Sequence, residues 1–472
     1  MRCRPLYRGF ALAAVAALAA PATASAHGGP IQRNPLPIPD WLFGWGAAAV
    51  LVISFAALAL MWPRPKLEQP SWRPLPGGRA LGSRLVEILC GAIGVALLVI
   101  VVVAGYVGPE SAADNLAPTF IMITFWVGLV VLSILFGDVF RSLNPWRAIG
   151  RAVGAMVGRR GPARRPYPER LGRWPAAAGL LMFTWIELVG GWADTPSTLV
   201  TAVVAYTVVT LAAQSVWGVE NWTRRGEAFS VYYNLLSRIS VFETRNRVVG
   251  LRPPLGGLPR LDPVPGTVAV VMVMIGTVTF DGLSQGALWN DVAPAIQDIF
   301  TGLGAGLVTA TKAADTVGLL AAVAIIAGFY ALGIDGARTV GGGFTAAELR
   351  RIFVHTLVPI ACVYALAHYL TYLLFEGQAI QYLAADPFGQ GWDLFGTASA
   401  AIDFSLLTQN TTWYIQFGLV LAGHVAALML AHDRALATYG QATEAVRSQY
   451  WMLGVMVGFT LLALWLLRQA GA

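Results

Sequence analysis

The sequence predicts an all-α integral membrane protein, a bundle of about ten transmembrane helices after a cleaved signal peptide. Three observations predict it. Hydrophobic residues make up 56% of the 472 residues and charged residues only 12%, about half the charge of an ordinary soluble domain. Apolar runs long enough to cross a bilayer recur along the chain. The loops between them alternate between arginine-rich and acidic, as membrane topology requires. No polar stretch is long enough for a soluble domain. Residues 27–472 therefore read as a single polytopic membrane domain behind a signal peptide at residues 1–26.

The chain begins with the three parts of a secretory signal. Arg2, Arg4 and Arg8 form the basic part, Phe10 to Ala20 the apolar part, and Ala24-Ser25-Ala26 a small-residue cleavage site. Cleavage there leaves His27 as the first residue of the mature chain.

The expected spans are Trp41–Trp62, Glu87–Val107, Ala117–Phe136, Trp174–Val189 and Ser197–Trp217 in the first half. Gly266–Leu283, Val317–Leu332, Ile352–Phe375, Thr412–Ala431 and Tyr450–Leu467 follow. Ala293–Ala310 is moderately apolar and glycine-rich, and reads as an interfacial or re-entrant piece. FSVYYNLLSRISVF, after the fifth span, reads as an interfacial amphipathic helix. RPPLGGLPRLDPVPG behind it reads as a connector.

Charge sets the orientation. Arginines crowd the loops after the first, third and fifth spans: Arg73 and Arg79, then Arg147 and Arg170, then Arg224, Arg225 and Arg252, among others. The alternate loops carry Glu110, Asp114, Asp194, Glu376, Asp386 and Asp393. The positive-inside rule puts the arginine-rich loops in the cytoplasm. The mature N-terminus then faces the periplasm or the extracellular side of a bacterial inner membrane, which agrees with the signal peptide. The net charge of +7 belongs to these loops, so it argues for membrane lipid as the partner and not for nucleic acid. The three cysteines, Cys3, Cys90 and Cys362, include no CxxC pair and support neither a disulfide framework nor a thiolate metal site. No P-loop or HExxH motif occurs, which excludes the corresponding ATPases and zincins.

An ionisable group inside a span is costly to bury and so marks a candidate site. The fourth, sixth and eighth spans all start from the cytoplasmic side. At 1.5 Å per residue, Glu187, Asp281 and His368 fall about 20, about 22 and about 25 Å along their helices. Two carboxylates and an imidazole at one depth could hold a divalent metal ion or relay protons. His424, on the ninth span, could join this group or brace it from behind. His432, beside Asp433 and Arg434, reads as an interface anchor. His355 is too far along its helix from His368 to share an ion with it. The free amine and imidazole of His27 could chelate copper, although no other histidine stands near it in sequence. GQAIQYLAADPFGQGWDLFGTASAAIDF, between the eighth and ninth spans, is aromatic and acidic, and could roof a site for a small apolar substrate or form an aromatic belt.

FGDVFRSLNPWR, HTLVPIACVYALAHYLTYLLFEGQ, DPFGQGWDLFGTA and GHVAALMLAHDRA resemble a family of bacterial polytopic membrane proteins labelled fenitrothion hydrolase. The resemblance runs across most of the chain. It implies hydrolysis of an organophosphate triester to an aryl alcohol and a dialkyl (thio)phosphate. A divalent metal ion is a natural device for that reaction, with His368, Asp281 and Glu187 as ligands or general base and His424 near them. The competing expectation is a carrier or assembly factor for a metal ion or small solute, with the buried acids and histidines marking its path.

Overall fold

The structure, a computed structural model, describes residues 40–156, 165–439 and 441–470. The expected signal peptide, its cleavage site and His27 lie outside these residues. The principal helices are α1 Asp40–Met61, α2 Arg84–Val107, α3 Leu116–Phe136, α4 Pro145–Met156, α5 Trp174–Gly190 and α6 Pro196–Trp217. They continue with α7 Ala228–Ser237, α8 Thr267–Ser284, α9 Ala287–Gly302, α10 Leu307–Arg338, α11 Ala346–His368, α12 Gln409–Thr438 and α13 Ala442–Ala470. Nine of the described helices are long and apolar enough to cross a membrane, and α5 is a shorter apolar helix. The architecture is that of a multi-pass membrane protein.

Local signals place the helix starts. The Ser83 side chain accepts from Val86 N at the head of α2, and Asn115 accepts from Ala117 N at the head of α3. Thr345 and Glu348 form a capping box at α11. Each of these groups satisfies an amide that the helix cannot satisfy itself.

The helices differ in how deeply they sit. The spans of α8 and α11 are 78% and 72% buried, whereas that of α1 is 17% buried. So α8 and α11 form the centre of the bundle, and α1 lies at its margin. The outer surface is apolar, with Ile53, Leu60, Leu85 and Val208 exposed, the pattern of a bundle solvated by hydrocarbon. Close crossings use small residues. A Cβ at Gly276 of α8 would lie 2.6 Å from Val323 Cα of α10, so no larger residue fits that crossing.

Two expectations need correction. The FSVYYNLLSRISVF helix, α7, is not interfacial: Phe229, Val231, Tyr232, Tyr233, Leu235 and Leu236 are all buried. Its polar residues face protein partners instead of water. Asn144 donates to Ser230 Oγ at 2.8 Å and Asn234 donates to Asp138 Oδ2 at 2.7 Å. His432 is likewise not an exposed anchor. It is buried, with Nε2 3.0 Å from Trp62 O and Nδ1 3.2 Å from Gln449 Oε1, and so joins α12 to the end of α1 and to α13. The Ala293–Ala310 stretch divides between the end of α9 and the start of α10, with Gly304 at φ 92° in the turn.

The arginine-rich loops meet on one face. Strand β1 (Arg73–Pro74) pairs antiparallel with β3 (Val248–Leu251), which pairs antiparallel with β2 (Phe242–Arg245). This small sheet joins the loop after α1 to the loop after α6. Arg147 adds the segment after α3, bonding Glu87 Oε1 at 2.6 Å and Glu220 Oε2 at 3.2 Å. At the opposite ends, Gly389 abuts Pro109. The alternation of loop charge in the sequence thus corresponds to two distinct faces of the bundle.

Candidate functional site

Asp281 lies one turn before the end of α8, and His368 is the last residue of α11. The two central helices run the same way, so both side chains reach the same level. Asp281 Oδ2 is 2.9 Å from His368 Nε2 and accepts a hydrogen bond from Tyr369 Oη at 2.7 Å. The helix breaks at Tyr369 (φ −91°, ψ 14°) before a short turn resumes at Leu370. That break lets two consecutive side chains turn to one carboxylate, which an uninterrupted helix, spacing them 100° apart, resists.

Glu187 approaches from α5. It sits in a π-helical turn, Ile186–Gly190, that closes the helix. Its Oε2 is buried and has no hydrogen-bond partner among the described residues, and Asp281 acts on it electrostatically. A second π-helical segment, Thr119–Gly128, lies within α3. It carries Trp126, whose side chain reaches the Tyr369 hydroxyl and whose ring stacks on Tyr232 with centroids 4.8 Å apart. Two π segments and one helix break therefore adjoin a single carboxylate. Such irregularities favour functional sites because they re-aim side chains that a regular helix would fix elsewhere. Trp126, Tyr232, Leu366 and Tyr369 also line a narrow apolar crevice beside the group.

In the tautomer that donates from Nε2 to Asp281 Oδ2, the lone pair of His368 is on Nδ1. The carboxylate fixes the ring's tautomer and orientation, the arrangement by which a histidine becomes a general base.

The other candidates fall elsewhere. His424 is buried, with Nδ1 2.8 Å from Val420 O of its own helix, and its Nε2 has no partner among the described residues. No bond ties it to Asp281 or His368. His355 closes on Ile352 O at 3.0 Å. Tyr369 and Trp126 were not among the residues the sequence singled out; an aromatic residue within a span looks like packing.

The metal expectation meets a different geometry. Among the described residues no group of three or more His, Cys, Asp or Glu side chains is arranged to hold a metal ion. Asp281 and His368 hydrogen-bond to each other directly, 2.9 Å apart. No protein-family model, curated protein or solved structure matches the chain.

Proposed function

We propose that the chain is a membrane-embedded hydrolase of organophosphate triesters such as fenitrothion, with His368 as general base. The observation that carries this is the Asp281–His368 pair; the resemblance of four sequence stretches to the fenitrothion hydrolase family supplies the substrate class. His368 Nδ1 takes a proton from water as the water oxygen bonds to phosphorus. The phosphorus–aryloxide bond breaks, and the aryl oxide leaves with the bonding pair. The proton then passes from His368 to the leaving group, giving an aryl alcohol and a dialkyl (thio)phosphate. Tyr369 holds Asp281 in place, and Glu187 exchanges protons with the pair. An apolar substrate enters from the lipid. In the same proposal the chain is delivered by a cleaved signal peptide to a bacterial inner membrane, with its mature N-terminus outside and the arginine-rich face inside.

The experiment is release of the nitrophenol from fenitrothion by purified wild-type, His368→Ala and Asp281→Asn protein, with and without a chelator. Release by wild type and not by the variants, indifferent to chelator, supports the reading. Release abolished by chelator and restored by a divalent ion would make Glu187, Asp281 and His368 metal ligands. No release by wild type overturns the enzyme. Glu187 Oε2, buried without a partner among the described residues, favours one second reading, a carrier for a cation or small solute, and flux across sealed vesicles tests that.

A further inference from the structure

On the arginine-rich face, far along α5 from Glu187, one corner gathers hydrogen-bond donors with nothing to receive them. Arg173 precedes α5 and is buried. Its Nη1 donates to Asp262 O and to Thr267 Oγ1, each at 2.7 Å, while its Nε is buried without a partner among the described residues. Next to it, the Tyr167 hydroxyl donates to Gly172 O at 2.9 Å. The Tyr167 ring lies 6.5 Å from that of Trp222, which stacks on Trp217 at 5.5 Å. Trp222 Nε1 and Thr223 Oγ1 are also buried and have no partner among the described residues. The same short helix ends in Arg224 and Arg225, and the Arg225 guanidinium lies 5.8 Å from the centre of the Tyr167 ring.

Charge and hydrogen bonding agree here. Neither Arg224 nor Arg225 has a carboxylate partner among the described residues, and both act electrostatically on Arg173, as does Arg238. One carboxylate, that of Asp262, opposes them. Buried donors in native proteins are almost always matched by an acceptor. Three of them beside uncompensated arginines call for an anion rich in acceptor oxygens, which arginine forks bind well. The aromatic residues place that anion at the level where a bilayer's headgroups lie.

We infer that the corner formed by Tyr167, Arg173, Trp222, Thr223, Arg224 and Arg225 is a binding site for a phosphate-bearing anion, the headgroup of an acidic phospholipid or free phosphate. The test uses the full-length purified protein. Thermal unfolding and binding are measured in nanodiscs of phosphatidylcholine alone or with added phosphatidylglycerol, and separately in detergent with inorganic phosphate. Arg224→Gln/Arg225→Gln is compared with Arg79→Gln/Arg84→Gln, which removes the same charge from exposed positions elsewhere on that face. Two arginines near a membrane surface are together worth about 30-fold in affinity for acidic lipid. The expected result is a loss of that order in the first variant and not in the second. Stabilisation by inorganic phosphate as well assigns recognition to the phosphate group; stabilisation by phosphatidylglycerol alone assigns it to the lipid. Equal losses in the two variants, or no response of wild type to either ligand, overturns the site.

Discussion

His368 Nε2 and Asp281 Oδ2 lie 2.9 Å apart although 87 residues separate them in sequence. Both residues sit on the most buried helices of the bundle, where a lone charge is expensive: insertion scales put a central Asp at about 2.5–3.5 kcal/mol. The pair, with Tyr369, removes that cost. Positioned acid–base groups contribute about 10²–10⁴-fold to a rate. His368→Ala and Asp281→Asn are therefore expected to lower kcat for triester hydrolysis by about 100-fold or more. Tyr369→Phe removes the hydrogen bonds to Asp281 and from Trp126 and should cost about 2 kcal/mol of stability, with a smaller effect on rate. Initial-rate kinetics and thermal unfolding on the same preparations separate the two. Equal kcat in wild type and His368→Ala would remove His368 from the chemistry.

The two faces of the bundle predict a reporter pattern. Cytoplasm-active and export-active reporters fused after Gly256 should read as cytoplasmic, and after Ala112 as exported. Gly256 lies against Pro70 on the arginine-rich face, and Ala112 follows α2 at the other end. The reverse pattern would invert the topology while leaving the relation between the faces intact.

The site's level was legible in the sequence because helix rise is fixed and the fourth, sixth and eighth spans run in one direction. Counting along them put Glu187, Asp281 and His368 at similar depths. What counting could not supply was rotation about each helix axis. That depends on the π turn at Glu187 and the break at Tyr369, and hydropathy is blind to both. Helix α7 was misread for a related reason. Ser230 and Asn234 give it an amphipathic look, but their partners, Asn144 and Asp138, belong to a segment about 90 residues upstream. The sheet was invisible because β1 is only two residues long. His432 showed only its neighbours Asp433 and Arg434, whereas its true partner, Trp62 O, is 370 residues away in sequence.

A pH effect is expected at the arginine-rich face. Glu243 accepts from Arg245 Nη2 at 3.0 Å and Arg260 Nη2 at 2.6 Å, with Arg252 Nη1 at 3.4 Å. Partial burial pushes its carboxyl up, but the hydrogen bonds and charges of these arginines outweigh that and hold it below the usual carboxylate range. Its stabilisation is then fully present above the unfolded-state value, about 4.3, and is lost as pH falls through the lower folded-state value. Glu243→Gln should cost about 2 kcal/mol at pH 7. The gap between variant and wild type should close in acid below about pH 4. Unfolding temperatures across that range check it; a gap that widens in acid would contradict the sign.

Asp433 is expected to be the fastening of α1. It is buried and accepts from Trp62 Nε1 at 2.9 Å, Lys66 N at 2.5 Å and Leu67 N at 2.9 Å. Asp433→Ala strands two backbone amides and an indole N–H. Breaking a buried charged network of this kind costs about 3–5 kcal/mol. Limited proteolysis between Trp62 and Glu68 should become faster, and the unfolding temperature should fall. Unchanged cleavage would mean that His432 and the Arg434–Glu68 ion pair hold the connection without it.

The most discriminating substitution is Glu187→Gln. The glutamate Oε2 is buried with no partner among the described residues, and the only charge identified as acting on Glu187 is the like charge of Asp281. A group kept for stability alone would be paired, because leaving it bare costs more than removing it. Glutamine keeps the shape and removes the ionisation. The unfolding temperature of the purified variant should therefore stay level or rise, while turnover falls by about tenfold or more if Glu187 passes protons to the Asp281–His368 pair. The rate's pH profile should change as well, because one titrating group has left the site. A fall in stability with turnover intact would make Glu187 a packing residue and reduce the centre to Asp281, His368 and Tyr369.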